Sequence, residues 1–128
     1  MRMLLDTHVF IWMASAPEEL SQKATDIIMN ENNQLYLSSV NLWEMQIKLN
    51  LGKLRLEIPL QKMWNDMSLQ NSIHLLPIAN SHLWQLNNLE KHHKDPFDRL
   101  LIAQSQIENM ELITKDKIIP LYDVKTIW

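Results

Sequence analysis

Cysteine is absent from this chain, and glycine occurs once, at Gly52. Without cysteine there can be no disulfide, no thiolate metal site and no cysteine nucleophile, a usage compatible with a reducing compartment. A single glycine excludes a glycine-rich phosphate loop and a dinucleotide fingerprint, each of which needs several. No apolar run approaches the roughly 20 residues of a membrane helix. Met1-Arg2-Met3-Leu4-Leu5 meets an acid at Asp6, too early for the apolar core of a signal peptide. The expectation is a soluble, cytoplasmic protein. Excess positive charge is lacking too. The net charge is −3 and the isoelectric point near 5.9, which argues against a module that only grips nucleic acid. The same acidity suits an enzyme whose carboxylates are neutralised by a bound cation.

What the chain does have is ordinary globular material: 128 residues, 46% hydrophobic and 21% charged. That is enough for one core and not for two, so residues 1–128 are expected to form a single domain. Leu35-Tyr36-Leu37-Ser38, Ile73-His74-Leu75-Leu76 and Glu111-Leu112-Ile113-Thr114 read as strands, as do residues 3–5 and a short terminal stretch, Val124 to Trp128. Helical patterns fall between them: a turn over residues 8–14, Pro17 to Asn32, Ser39 to Gly52, Pro59 to about Gln70, Ala79 to Glu90, and Pro96 to Met110. Strands alternating with helices call for a parallel sheet covered on both faces. The expected fold is α/β: a three-layer α/β/α sandwich with a central parallel sheet of four to five strands.

Acidic residues stand at the ends of these elements. Asp6 closes the first strand, either as the N-cap of the following turn or as a ligand at the carboxyl edge of the sheet, where open α/β folds bind theirs. Glu44 lies early in the helix that leaves the second strand; it either pairs with Lys48 one turn on or faces the same edge. Asp95 fits an N-cap, with Pro96 at the first helical position and Asp98 in the first turn. Capping explains Asp98 less well, because the apolar run Leu100-Leu101-Ile102-Ala103 behind it would bury the helix and hold Asp98 rigid, as a ligand requires. Asp116 ends the last long strand and could instead cap the Lys117–Leu121 turn. Thr114 is a structural hydroxyl or a group that holds water at a metal.

If the first strand is central, Asp6, Glu44, Asp98 and Asp116 converge on one edge of one sheet. Packed carboxylates repel and raise one another's pKa unless a cation holds them. An all-oxygen donor set selects Mg²⁺ or Mn²⁺, which can activate water and offset charge on a phosphoryl oxygen.

Leu4-Leu5-Asp6-Thr7-His8-Val9-Phe10-Ile11-Trp12, Ser38-Ser39-Val40-Asn41-Leu42-Trp43-Glu44-Met45-Gln46-Ile47-Lys48, Asp95-Pro96-Phe97-Asp98-Arg99-Leu100-Leu101-Ile102-Ala103-Gln104 and Leu112-Ile113-Thr114-Lys115-Asp116 together resemble the PIN-domain ribonucleases, in particular the VapC-type toxins of toxin–antitoxin pairs. The likeness runs through nearly the whole chain in order, and the Asp-Pro-Phe-Asp-Arg block is its most specific piece. It implies a Mg²⁺- or Mn²⁺-dependent endoribonuclease with Asp6, Glu44, Asp98 and Asp116 as catalytic and metal-binding acids, a homodimer, and a cognate antitoxin whose C-terminal segment covers the site. Two departures stand out. Asn109-Met110-Glu111 replaces a glycine common before the last core strand, and Ser105 stands where alanine is frequent. Asp95 goes to the helix cap.

Thr7, Lys48, Arg99 and Thr114 are the expected substrate contacts, and either Glu44 or Asp116 would orient the attacking water. Lys48, Lys53 and Arg55 form a basic strip suited to a phosphodiester backbone or simply to solvent. His92-His93-Lys94 either contacts phosphate or is a solvated loop. His8 is expected to pack, and the five tryptophans to serve core or interface. The competing reading is a catalytically inactive PIN-like platform for protein or RNA, which retention of all four acids disfavours. A phosphoacceptor receiver lacks its mid-sheet aspartate between Gly52 and Pro59. A haloacid-dehalogenase-like phosphatase needs an aspartate where His8 stands.

Overall fold

The computed structural model describes all 128 residues. Five strands, β1 (Arg2–Leu5), β2 (Gln34–Ser38), β3 (Ile73–Leu76), β4 (Glu111–Ile113) and β5 (Thr126–Ile127), form one sheet in the order β3-β2-β1-β4-β5. Every neighbouring pair is parallel. Six α-helices connect them: α1 (Thr7–Ser15), α2 (Gln22–Met29), α3 (Ser39–Asn50), α4 (Leu60–Asn71), α5 (Asn80–Gln85) and α6 (Pro96–Glu108). This is the three-layer arrangement the alternation predicts, and no helix is long and apolar enough to cross a membrane.

The period-2 pleat divides the core. Met3 and Leu5 point to one face with Leu35, Leu37 and Ile113, and are covered by Val9 and Phe10 of α1, Ala24 of α2, Met45 of α3, and Met63 and Met67 of α4. Leu4 and Leu112 point to the other face, against Leu100, Leu101, Ile102 and Ala103 of α6. Those four α6 residues are buried, so the helix that carries Asp98 is seated along its length. Burying each such side chain contributes about 1.5–3 kcal/mol.

Boundaries differ from the sequence reading where helices are short. Pro17–Glu19 is a 3₁₀ turn that precedes α2, and the expected Ala79–Glu90 helix is α5 followed by a 3₁₀ turn at Leu86–Asn88. The first helix is a full α-helix rather than a turn. Asn109, in the place of the expected glycine, is left-handed at φ 53° and ends α6. Asparagine tolerates that conformation better than other residues with a side chain.

The chain runs from β1 to β2 and β3 on one side, then crosses to β4 on the other. The strand order therefore reverses between β1 and β4, and a crevice opens at their carboxyl ends.

Candidate metal centre

A cleft of about 330 Å³ lies at that crevice, lined by Asp6, His8, Trp12, Glu44, Lys48, Asp95, Asp98, Lys115 and Asp116. All four acids expected from sequence are in it, each delivered by a different element. Asp6 follows central β1, whose pairing extends through its own N–H to Ile113 O at 3.0 Å. Its Oδ1 accepts the Thr7 N–H at 2.8 Å, capping α1, while its Oδ2 accepts the Thr114 hydroxyl at 2.6 Å. Asp6 is thus both a cap and a wall of the cleft.

Glu44 is held from below. Ser38 ends β2 and caps α3, accepting the Val40 N–H at 3.0 Å, while the Asn41 side chain accepts the Ser38 N–H at 2.9 Å. Asn41 also donates to Thr7 Oγ1 at 2.9 Å, and that hydroxyl donates to Glu44 Oε1 at 2.7 Å. Thr7 Oγ1 thus accepts from Asn41 and gives its one proton to Glu44. The other carboxylate oxygen pairs with Lys48. The i,i+4 ion pair and the cleft position therefore coexist. Thr7 and Thr114 are buried and engaged with acids.

Asp98 and Asp116 close the cleft from the far side. Asp95 caps α6, accepting the Phe97 and Asp98 N–H groups at 2.8 and 3.2 Å, as the motif predicts. Asp116 Oδ1 accepts the Ile118 and Ile119 N–H groups at 2.7 and 3.1 Å, and its own N–H donates to Thr114 Oγ1 at 3.0 Å.

The electrostatics follow from this packing. Burial, and then the charges of Asp6, Asp95, Glu44 and Asp116, push the Asp98 carboxyl up to about 8. Burial also raises Asp6, against the hydrogen bonds from Thr114 and Thr7. Asp116 goes the other way: burial would raise it, but the Ile118 and Ile119 N–H groups and His93 outweigh burial and hold it below the usual carboxylate range. Burial alone would lower Lys48, yet its bond to Glu44 and the field of Glu44, Asp95 and Asp98 raise it.

His93, read from sequence only as a phosphate contact or part of a solvated loop, stands instead against the acids. Its Nε2 lies 2.9 Å from Asp98 Oδ2 and 3.3 Å from Asp116 Oδ2. The only signal was its place two residues before the Asp95 cap. His8 departs from expectation as well: it is exposed on the cleft wall rather than packed. Arg99 does not line the cleft; its guanidinium donates to Glu90 O at 2.8 Å and Tyr122 Oη at 3.3 Å. Trp43 is 54% exposed and Trp84 65%, so two of the five tryptophans lie largely outside the core.

The donor set fits a hard divalent cation. It consists of carboxylates lining one cleft, and the burial and neighbouring acids that raise Asp98 are what a bound cation would offset.

Comparison with known proteins gives a consistent family. The PIN domain matches residues 3–125. Among solved structures, the chain is similar to one from the VapBC2 complex of Rickettsia felis bound to a promoter DNA fragment, with TM-score 0.76 and 14% identity over 99% of this chain and 98% of that one. It is similar also to one from VapBC-1 of nontypeable Haemophilus influenzae (0.62, 19%, 99% and 97%). A third is from FitAcB of Neisseria gonorrhoeae (0.62, 17%, 98% and 96%). At these identities the structural likeness shows the fold. No match was found among curated proteins.

Proposed function

Because the chain belongs to the PIN domain family, we propose that it is a cytoplasmic, single-domain, Mg²⁺- or Mn²⁺-dependent endoribonuclease acting as the toxin of a toxin–antitoxin pair. The observation that carries this reading is the meeting of Asp6, Glu44, Asp98 and Asp116 in one cleft at the β1/β4 reversal. The toxin–antitoxin part rests on the family together with the neighbours, which come from VapBC and FitAcB complexes. A cognate antitoxin and a second copy of the chain are the partners proposed.

Asp6, Glu44, Asp98 and Asp116 would hold the ion. When bound, it would supply a Lewis acid for the scissile phosphate and lower the pKa of attacking water. The protein's own groups do the rest. Thr7 and Asn41 fix the rotamer of Glu44, and Thr114 fixes Asp6. Lys48 and Lys115, on the cleft wall, draw in a phosphodiester and offset negative charge that grows on its oxygens. Asp98, raised to about 8, would have to be deprotonated to hold the ion, so affinity should rise with pH. Glu44 and Asp116 are the carboxylates available to orient water.

The test is cleavage of a mixed RNA pool by antitoxin-free protein with Mg²⁺, Mn²⁺ or EDTA, beside Asp98→Asn. Cleavage that requires metal and disappears in the variant is the expected result. Wild-type cleavage by Asp98→Asn would remove that residue from the mechanism. Absence of both cleavage and Mn²⁺ binding would favour a non-catalytic platform.

A further inference from the structure

His93 sits in the segment between the Leu86–Asn88 turn and α6, yet four contacts fix it. The Tyr122 hydroxyl accepts the backbone N–H groups of His92 at 3.0 Å and His93 at 2.7 Å. Arg99 donates to that hydroxyl at 3.3 Å and to Glu90 O at 2.8 Å, tying the start of the segment to α6. The Asp95 N–H donates to His93 Nδ1 at 3.3 Å. Nε2 hydrogen-bonds Asp116 Oδ2 at 3.3 Å and lies 2.9 Å from Asp98 Oδ2.

The tautomer follows. A ring nitrogen that accepts a hydrogen bond cannot carry the proton, so the proton of the neutral ring lies on Nε2. The side chain thus offers an N–H donor to Asp116, with Asp98 Oδ2 beside it. Ligation of a cation by Nε2 would need the proton on Nδ1, where it would face the Asp95 N–H, donor against donor. The Nε2, Asp98 and Asp116 donor atoms lie within 4.8 Å of one another, a spacing compatible with coordination, but the Asp95 contact decides against a nitrogen ligand. No other side chain contacts both carboxylates.

We infer that His93 is a positioning residue: through Nε2–H it holds Asp116 while its ring edge stands against Asp98, and it thereby sets the separation at which the two receive a divalent cation. This rests on the metal-dependent reading above. Partners behind metal-ligating carboxylates act by holding ligand geometry, and losing one typically costs about 10–100-fold in metal affinity.

Mn²⁺ titration calorimetry on the antitoxin-free chain separates the possibilities. His93→Leu should weaken Mn²⁺ binding by about 10–100-fold, and His93→Gln, which keeps an N–H at the tip, should restore most of it. Two measurements on the wild-type protein need no variant to fold. Nitrogen-15 NMR of its metal-free form should show the Nε2–H tautomer, and pulsed EPR of its Mn²⁺ form should show no imidazole nitrogen coupled to the ion. Equal Mn²⁺ affinity in wild type and His93→Leu would overturn the inference. So would an Nδ1–H tautomer, an imidazole nitrogen coupled to the ion, or failure of His93→Gln to restore binding. Wild-type protein that binds no Mn²⁺ would overturn the metal-dependent reading instead.

Discussion

Asp6 and Glu44 are gripped from inside the sheet, whereas Asp98 and Asp116 meet across a segment of chain with no regular secondary structure. The first pair is 8% and 4% exposed, and its partners Thr7, Asn41 and Thr114 come from the ends of β1, β2 and β4 or the first turns beyond them. The second pair is joined by His93, which hangs from Tyr122 and the Asp95 N–H. The difference teaches where each half gets its geometry. One half is fixed by the same hydrogen bonds that start its helices, so disturbing it should cost stability. The other contains Asp98, whose carboxyl is raised by burial and four neighbouring acids, so replacing Asp98 should cost function and return stability.

The largest expected effect sets the two halves against each other. Asp6→Ala and Asp98→Asn should both reduce metal-dependent RNA cleavage by more than the roughly 10–100-fold typical of residues behind a ligand. Thermal melts in EDTA should then part them. Asp6→Ala removes the cap of α1 and strands the Thr114 hydroxyl, a loss of about 0.5–2 kcal/mol for the cap alone. Asp98→Asn removes a carboxyl raised to about 8 by burial and four neighbouring acids and should raise the melting temperature at neutral pH. A fall in both variants would erase the distinction.

The pH dependence of the metal-free chain sharpens the same contrast. Between the ordinary carboxyl value of 3.8 and about 8, Asp98 holds its proton in the folded state and loses it in the unfolded state. The unfolded chain then binds fewer protons, so stability falls as pH rises through that window. Asp6, also raised, acts in the same sense. Asp116, lowered, adds stability above its unfolded pKa that disappears only as pH falls below it. Melts in EDTA should therefore decline from about pH 4 to pH 8, and Mn²⁺ should flatten the decline. A flat EDTA profile would mean that the acids do not repel as their packing implies.

A smaller effect isolates the buried half. Thr7→Val keeps the shape but leaves Asn41 Nδ2 without its acceptor and Glu44 Oε1 without its donor. A buried group left unsatisfied costs about 1–3 kcal/mol, so denaturant unfolding should shift by that amount while the fold persists.

The same division explains what could be read from sequence. Strand-end acids and capping patterns are local, so Asp6, Asp95, Asp98 and the parallel alternation stood out directly. The convergence of Asp116 with Asp6 needed only the strand order, which the central position of β1 satisfies. His93 was read only as a phosphate contact or a loop residue, because its place beside the acids depends on Tyr122, 29 residues away, and no local pattern announces such a contact. Glu44 stayed open between a Lys48 pair and the sheet edge, because i,i+4 spacing cannot tell a solvated face from a cleft wall; it is both. His8 was misread because its apolar neighbours, Val9 and Phe10, face the core while it turns outward.

Asp95 offers the finest test, because it lies between the halves: it lines the cleft, yet one of its oxygens is spent on the Phe97 and Asp98 N–H groups. Asparagine caps a helix about as well as aspartate, and alanine costs about 0.5–2 kcal/mol. If Asp95 acts through the cap, Asp95→Asn should keep both stability and Mn²⁺ affinity close to wild type, and Asp95→Ala should lose some of each as Asp98 loosens. If Asp95 instead holds the ion, Asp95→Asn should lose affinity at unchanged stability. Calorimetry and unfolding on the two variants distinguish these outcomes.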